Sequence, residues 1–331
     1  MTPPTSAPTS SPTSSPIAAA EPTLAAFTNP VAKYLVATRP AFLTVTLAAC
    51  LIGLATAQHG GVSIDWPRAI VTIIFALLAH AGVNVINDYY DAENGSDAAN
   101  TERLFPFTGG SRFIQNGVLT RRQTARFGYS LLALVVPAGC WLAFNLPLAS
   151  APGLLLIGLA GLLIGWAYSA PPLQLMCRGV GELAITSGWL LVVVGSDFAQ
   201  RGAFVLTPWL AGLPYALLVA AILYINQFPD RSADALAGKR TVVVRLGPQR
   251  ARWGYLLLVS AAYALLLAAV ALSALPLAAA LAALTLPLSL QAGRHLLRHA
   301  GQPGALAPAI KQTILAANGH GLLLAAALAY A

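Results

Sequence analysis

The sequence predicts an all-α membrane protein in which nine transmembrane helices form one bundle. Two observations indicate this fold class. Of the 331 residues, 57% are hydrophobic and only 9% are charged, a composition far from that of soluble domains. The apolar residues also fall in long runs, each close to the roughly 17–25 residues that a transmembrane helix requires.

We expect one transmembrane helix in each of nine apolar runs. The seventh and eighth runs are separated only by a short turn near Leu275-Pro276. The nine runs cover residues 41–58, 67–86, 127–147, 151–170, 180–198, 206–228, 254–274, 276–292 and 312–330.

The distribution of basic residues supports this number of crossings. If the N-terminus lies in the cytoplasm, all 19 Lys and Arg residues except Arg68 and Arg201 fall on the cytoplasmic side. This asymmetry agrees with the positive-inside rule. We therefore expect an integral protein of the bacterial inner membrane, with its N-terminus cytoplasmic. Because topology accounts for the net charge of +8, we expect no nucleic-acid partner.

The first 22 residues differ in composition from the rest of the chain. They are rich in Pro, Ser and Thr, residues that cannot build an apolar core. We predict a disordered tail over residues 1–22 and a single membrane domain over residues 23–331.

Two acidic clusters stand out in this charge-poor chain. The first is NDYYDAENGSD at residues 87–97, and the second is NQFPDRSAD at residues 226–234. Each cluster ends an apolar run and faces the cytoplasm in the expected topology. Carboxylates at the edge of hydrocarbon are costly and usually serve a partner such as a cation. Several hard oxygen ligands together suggest Mg²⁺, which proteins often bind together with a phosphate.

The spacing within each cluster places carboxylates together. Asp88 and Asp91 are three residues apart, and Asp230 and Asp234 are four apart, so each pair shares a face if its helix continues. Asp97 follows Gly95, a residue that permits a sharp turn back towards that face. Two such faces could hold Mg²⁺ between them.

Basic residues follow both clusters. Arg112 comes after Gly109-Gly110-Ser111, and Lys239 and Arg240 come after Gly238. Guanidinium and ammonium groups bind phosphate oxygens well. Paired carboxylates with basic neighbours at a membrane edge suit a substrate with a diphosphate head and a lipid tail.

These motifs resemble those of the UbiA superfamily of intramembrane prenyltransferases. NDYYDAENGSD is similar to the first aspartate motif, and NQFPDRSADALAGKRTVVVRLG is similar to the second. Between them, YSAPP at residues 168–172 and RGVGEL at residues 178–183 also match, as does Arg39-Pro40 before the first helix. Within the superfamily, the closest resemblance is to the 1,4-dihydroxy-2-naphthoate prenyltransferase branch of menaquinone synthesis.

The resemblance implies a helical bundle around a central cavity that opens to lipid. It also implies transfer of a polyprenyl group from a prenyl diphosphate to an aromatic acceptor, with a carbocation formed after Mg²⁺-assisted ionisation. The implied catalytic residues are Asp88, Asp91, Asp230, Asp234 and Arg112, and the implied metal ligands are those four aspartates and Asp97. The implied substrate-binding residues are Asn84, Asn87, Asn226, Tyr168, Ser169, Arg39, Arg178, Lys239 and Arg240.

Several alternatives stay open at the level of sequence. The acceptor could be 4-hydroxybenzoate, homogentisate or a tetrapyrrole instead of dihydroxynaphthoate. Arg39 either binds a substrate or anchors its helix at the membrane interface. His80 is more simply a packing residue than a site residue. A secondary transporter is the alternative from another functional class, but it would place carboxylates deep within the helices.

Overall fold

The computed structural model describes residues 20–331, and all regular structure within them is helical. Most of the predicted tail, residues 1–19, lies outside the described part, so its boundary stays a prediction. The helices are α1 (Pro30–Ala37), α2 (Pro40–His59), α3 (Trp66–Asn94), α4 (Ser96–Ala99), α5 (Arg121–Phe144), α6 (Ala151–Ser169), α7 (Gly181–Arg201), α8 (Thr207–Leu236), α9 (Val242–Leu246), α10 (Pro248–Ala271), α11 (Leu286–His299) and α12 (Ala307–Ala329).

The predicted nine transmembrane segments are confirmed within residues 20–331. Nine helical segments there are long and apolar enough to cross a membrane. Eight are single helices, and the other combines the 3₁₀ segment Leu277–Thr285 with α11. The short helices α1, α4 and α9 lie between or before these segments.

Helices α3 and α8 extend beyond the second and sixth apolar runs. Those runs end at residues 86 and 228, whereas α3 continues to Asn94 and α8 to Leu236. The reason is that hydropathy detects the end of the apolar run, whereas the helical backbone continues through the polar residues. Helix α3 stops only at Gly95, which has a left-handed φ of 84°. Most of the first acidic cluster and all of the second therefore lie on the last turns of α3 and α8, whereas Asp97 lies in α4.

Helix α8 is the most enclosed element of the bundle. It contacts α2, α7, α10 and α12, and its apolar side chains contribute to the largest buried cluster. Two buried tyrosines on α8 bind backbone carbonyls of its neighbours. The Tyr215 hydroxyl donates to Val45 O at 2.6 Å, and the Tyr224 hydroxyl donates to Ala251 O at 2.6 Å. These bonds fix α8 against α2 and α10, because an unpartnered buried hydroxyl would be costly.

Helix α3 lies on the other side of the bundle. It packs mainly against α5 and also contacts α2, α6 and α7. The short helix α4 contacts both α3 and α8 and closes the space between their ends. This arrangement brings the two acidic clusters, about 140 residues apart in the chain, to the same end of the bundle.

A glycine allows α2 to lie close to α7. A Cβ at Gly53 would lie 2.6 Å from Ser196 Cβ, and it would also overlap the Val193 carbonyl oxygen. Nearby, Thr56 Oγ1 donates to Asp197 Oδ2 at 3.0 Å, and Arg201 Nε donates to Asp197 Oδ1 at 2.8 Å. Close backbone approach and a buried polar network thus join these two helices at the end distant from the acidic clusters.

We expect Gly53→Ala to lower the stability of the folded protein by about 1–3 kcal/mol, because the backbone of α7 cannot yield to the added methyl group. Gly139→Ala in α5 is the matched control, because a Cβ there meets nothing within 4 Å. Thermal denaturation of the two purified variants checks this. Equal melting temperatures for both variants and the unmodified protein would contradict the packing described.

Candidate active site

The two acidic clusters meet around one polar cavity of about 130 Å³. Asp91 and Asp97 line it from the first cluster, and Asp230 and Asp234 line it from the second. Asp88 lies at its edge, behind the loop that contains Gly110. The structure therefore brings together all five aspartates, which lie in two clusters far apart in the sequence.

A buried lysine joins the two clusters. Lys239 Nζ lies 2.6 Å from Asp91 Oδ1 and 3.3 Å from Asp234 Oδ1. Lys239 follows α8 at a turn in which Gly238 has a φ of 75°, and this turn directs the ammonium group back into the cavity. Burial opposes the charged form, but Asp91 and Asp234 outweigh it and raise the pKa of Lys239 above its usual value. Lys239 thus places a positive charge between the two clusters.

A glycine-containing loop covers the other side of the first cluster. Gly110 has a φ of 71°, and a Cβ there would lie 2.6 Å from Asp97 Oδ2 and 3.0 Å from Asp88 Oδ1. The next residue, Ser111, donates its backbone N–H to Asp88 Oδ1 at 3.2 Å. Only a residue without a side chain allows the loop backbone to approach both carboxylates.

Burial and like charges affect Asp97 strongly. Burial, together with the negative charges of Asp91 and Asp88, raises the pKa of the Asp97 carboxyl well above its usual value. Lys239 and Arg112 oppose this shift without cancelling it. A further cation in the cavity would remove the repulsion and favour the ionised form of the cluster.

Amides extend the set of oxygen donors. Asn100 Nδ2 donates to Asp230 Oδ1 at 2.6 Å, and Asn226 Nδ2 donates to Phe107 O at 3.3 Å. The oxygen atoms of these two amides, Asn100 Oδ1 and Asn226 Oδ1, are buried and accept no hydrogen bond, and the same holds for Gln227 Oε1. Buried polar atoms are nearly always partnered, so these oxygens indicate a bound partner with positive or donor groups.

The donor chemistry fits a hard divalent cation shared with a phosphate ligand. Among the described residues, no three Asp, Glu, His or Cys side chains are arranged to hold a metal ion by themselves. Mg²⁺, however, usually takes only one or two protein carboxylates and completes its shell with water and substrate phosphates. Carboxylates on both sides of the cavity and unpartnered amide oxygens suit that mode of binding.

Apolar space continues from the polar cavity. A second cavity of about 150 Å³ shares Asn87, Tyr168, Leu223 and Asn226 with the first. A third of about 130 Å³ shares His80 and Tyr168 with the second, and a fourth of about 180 Å³ shares glycines of α6 and α7 with the third. We call these three the apolar channel, which begins between α2, α3, α7 and α8 and continues between α3, α5, α6 and α7.

Four of the sequence-predicted substrate residues lie where the polar cavity meets the apolar channel. Arg39, Asn87, Tyr168 and Asn226 line both, and Asn84 lines the channel only. Asn84 Nδ2 also donates to Thr38 O at 3.1 Å. These residues surround the position where a polar head would join an apolar tail.

Other sequence-predicted residues do not line the polar cavity. Arg112 is buried behind it and donates to the Asp97 carbonyl. Ser169 is also buried and accepts a hydrogen bond from Asn87 Nδ2 at 3.2 Å. Arg178 and Arg240 are exposed, and the Arg178 guanidinium donates to Pro172 O at 2.6 Å. Direct contact of these four with substrate stays a prediction.

Sequence reasoning missed several lining residues. Asn100, Phe107 and Thr108 come from the irregular loop between α4 and α5, and Gln227 comes from α8. Of these, Gln227 and Asn100 carried a signal, because Gln227 is a polar residue within the second cluster and Asn100 is one close to the first. The positions of the loop residues depend on long-range contacts that local sequence does not specify.

Comparison with known proteins agrees with this geometry. The profile of the UbiA prenyltransferase family matches residues 46–312. The chain is 29% identical over 280 residues to the 1,4-dihydroxy-2-naphthoate octaprenyltransferase of Escherichia coli, covering 83% of this chain and 88% of that protein. It is 29% identical to the enzyme of the same name from Mycobacterium tuberculosis, covering 90% and 97%. It is 27% identical to the 2-carboxy-1,4-naphthoquinone phytyltransferase of Synechocystis, covering 93% and 97%.

Solved structures share the fold. A UbiA homologue from Archaeoglobus fulgidus, bound to DMAPP and Mg²⁺, superposes with a TM-score of 0.58 at 16% identity, covering 88% of this chain and 99% of that one. The apo form of a homologue from Aeropyrum pernix gives 0.60 at 20% identity, covering 84% and 96%. Together with the profile match over most of the chain, these findings show that this protein is a membrane prenyltransferase that belongs to the UbiA prenyltransferase family.

Proposed function

We propose that this enzyme transfers a polyprenyl group from a prenyl diphosphate to 1,4-dihydroxy-2-naphthoate, in a reaction that requires Mg²⁺. One observation carries the proposal: a polar cavity lined by aspartates from α3, α4 and α8 adjoins an apolar channel and shares lining residues with it. A charged head and a long apolar tail joined in one molecule match these two environments. In the expected topology, the polar cavity faces the cytoplasm.

The polar cavity would bind the diphosphate head. Asp91, Asp97, Asp230 and Asp234 would hold Mg²⁺, with Asp88 at the edge of the site. When bound, Mg²⁺ neutralises the diphosphate and makes it a better leaving group. Lys239 would contribute a positive charge to the diphosphate oxygens. In a cavity rich in carboxylates, this lysine reduces the net negative charge that the diphosphate meets.

The start of the apolar channel would hold the reacting carbon of the prenyl group. The Tyr168 ring lines the polar cavity and both of the first two parts of the channel. The negative face of an aromatic ring can stabilise an allylic cation. Apolar walls exclude water, which would otherwise capture the cation before the acceptor does.

The proposed acceptor is supported by the relatives. The Escherichia coli and Mycobacterium tuberculosis proteins are named for dihydroxynaphthoate, and the Synechocystis protein is named for a carboxynaphthoquinone. All three names describe a bicyclic aromatic ring bearing a carboxyl group. At 27–29% identity, however, related enzymes can differ in acceptor, so 4-hydroxybenzoate is the natural comparison in the assay.

We expect membranes containing this protein to attach a labelled prenyl group to dihydroxynaphthoate when Mg²⁺ is present. EDTA should abolish the product, and added Mg²⁺ should restore it, because the carboxylates alone cannot neutralise the diphosphate. The assay is run in parallel with 4-hydroxybenzoate. Product with 4-hydroxybenzoate alone would overturn the proposed acceptor, and product that resists EDTA would overturn the role of the metal.

We expect Asp230→Asn and Asp91→Asn each to lower kcat/KM by about 10²–10³-fold, because each removes a charge that faces the developing diphosphate charge. Glu93→Gln is the matched control. Glu93 belongs to the first acidic cluster, but it is exposed and pairs with Arg121 at 3.1 Å. Steady-state kinetics on membranes with equal protein content measure the difference. An equal loss of kcat/KM in all three variants would mean that the total negative charge of the acidic clusters determines activity, and not the position of a carboxylate in the cavity.

We expect Lys239→Gln to raise the KM for the prenyl diphosphate by about tenfold or more, because the head loses a charged hydrogen-bond donor. Arg231→Gln removes an exposed cation next to Asp230 and serves as the control. The same kinetic assay, with prenyl diphosphate as the varied substrate, makes the comparison. An unchanged KM in Lys239→Gln would limit this lysine to a structural role between Asp91 and Asp234.

A further inference from the structure

A separate cavity of about 530 Å³ lies beside the polar cavity. We call it the front cavity. Its walls come from residues 20–27, from the last turn of α1, from the start of α2 and from the loop between α4 and α5. Its volume falls within the usual range for small-molecule sites, roughly 300–1,000 Å³. Neither the diphosphate head nor the tail in the apolar channel uses this space.

Aromatic rings dominate the walls of the front cavity. Five phenylalanines line it, and two of them, Phe27 and Phe113, pack against each other with ring centroids 5.4 Å apart. The others are Phe42, Phe105 and Phe107. Aromatic rings favour offset or edge-to-face contacts with another flat ring. The walls therefore suit a planar aromatic ligand.

One cation connects the front cavity with the reaction site. Arg39 lines the front cavity, the polar cavity and the first part of the apolar channel. Its guanidinium lies 4.6 Å from the Phe42 ring centroid and makes one long hydrogen bond, from Nη2 to Phe107 O at 3.4 Å. No carboxylate in the described part of the chain forms an ion pair with it, unlike Arg112, which lies 3.8 Å from Glu21. Arg39 therefore has donors available for an anionic group.

The backbone at Arg39 is held in an uncommon conformation. Its φ of 58° and ψ of 59° lie in the left-handed region, which a side chain with a Cβ adopts at a cost of about 1–3 kcal/mol. Such conformations persist where the surrounding structure fixes them, and they are concentrated at binding sites. This one places the guanidinium where three cavities meet.

The outer wall of the front cavity is fixed by polar contacts. Glu21 Oε1 accepts from Arg103 Nε at 2.6 Å, and Glu21 Oε2 accepts from Asn116 Nδ2 at 3.1 Å. Asn116 Nδ2 also donates to Pro22 O at 2.9 Å. These bonds hold residues 21 and 22 against the loop that contains Gly110 and Phe107. The front cavity is thus a pocket whose outer wall is held in place by hydrogen bonds between two segments of the chain.

We propose that the front cavity binds the aromatic acceptor, with its ring among the phenylalanines and its carboxylate on Arg39. This inference rests on the proposed function. The two substrates must meet at the carbon next to the diphosphate, and in the proposed function the prenyl tail would fill the apolar channel on one side. Phe107 and Gly110 line both the front and the polar cavity, so a ring in the front cavity lies beside that carbon.

Cysteine protection tests this without requiring turnover. Ala26 lines the front cavity, whereas its neighbour Ala25 is exposed and does not. Ala26→Cys and Ala25→Cys are made in the full chain with Cys140→Ser and Cys177→Ser, which remove the two native thiols that are not buried. Maleimide labelling is followed with 1-hydroxy-2-naphthoate as the probe, with 1-naphthol as the uncharged probe and with geranyl diphosphate plus Mg²⁺.

We expect 1-hydroxy-2-naphthoate, at about ten times its Kd, to slow labelling of Ala26→Cys by about tenfold, because only the unoccupied fraction reacts. It should leave Ala25→Cys unaffected, and 1-naphthol should protect much less because it lacks the carboxylate. Protection by geranyl diphosphate instead would assign the cavity to the prenyl tail. Equal labelling with and without the naphthoate would also overturn the proposal.

A kinetic variant separates this inference from the proposed function. Val36 lines the front cavity, and Val31 lies on the same helix but away from it. We expect Val36→Trp to raise the KM for dihydroxynaphthoate by about tenfold, equivalent to about 1.4 kcal/mol, with an unchanged KM for the prenyl diphosphate. Val31→Trp should change neither. The unmodified enzyme could turn over while Val36→Trp and Val31→Trp have equal KM values for the acceptor. That result would reject the front cavity as the acceptor site but leave the proposed transferase activity standing.

Discussion

Neutralisation of carboxylates at the edge of the hydrocarbon is the constraint on which this structure depends. Five aspartates from α3, α4 and α8 converge at one end of the bundle, where burial makes unpaired charge costly. Lys239 meets part of this requirement by bridging Asp91 and Asp234. The remaining negative charge and the unpartnered oxygens of Asn100 and Asn226 call for a further cation. In the proposed function, Mg²⁺ would meet this requirement and would in turn hold the diphosphate of the substrate.

The bundle serves the site by fixing two helices that make few direct contacts with each other. Helix α8 is held by α2, α7, α10 and α12, and α3 is held by α2, α5, α6 and α7. Their ends can therefore stay apart by the width of a cavity without collapsing onto one another. Between them the space changes from polar to apolar over one layer of residues, Asn87, Tyr168 and Asn226. In the proposed function, that boundary would orient a substrate with a charged head and an apolar tail.

Much of this arrangement could be predicted from the sequence. Apolar runs gave the nine transmembrane segments, and the spacing of Asp88 with Asp91 and of Asp230 with Asp234 indicated shared faces, because both properties are local. The apolar runs end about eight residues before α3 and α8 do, since hydropathy reports the surroundings of a helix and not its backbone. The bridging position of Lys239 and the contacts of Glu21 with Arg103 were not predictable, because each joins segments distant in the chain.

The central claim is that the two acidic clusters form one binding site, and a double-mutant cycle tests it most directly. The measurement is the Mg²⁺-dependent affinity of the purified protein for a non-reactive prenyl thiodiphosphate, in the unmodified protein, Asp97→Asn, Asp230→Asn and the double variant. Unlike Asp91 and Asp234, these two aspartates do not share an ion pair with Lys239. Because both carboxylates would act on the same metal–diphosphate ligand, the account predicts a coupling energy above about 0.5 kcal/mol, with the double variant differing from the sum of the single changes. Additive effects within about 0.5 kcal/mol would mean that the clusters act independently and would contradict the account.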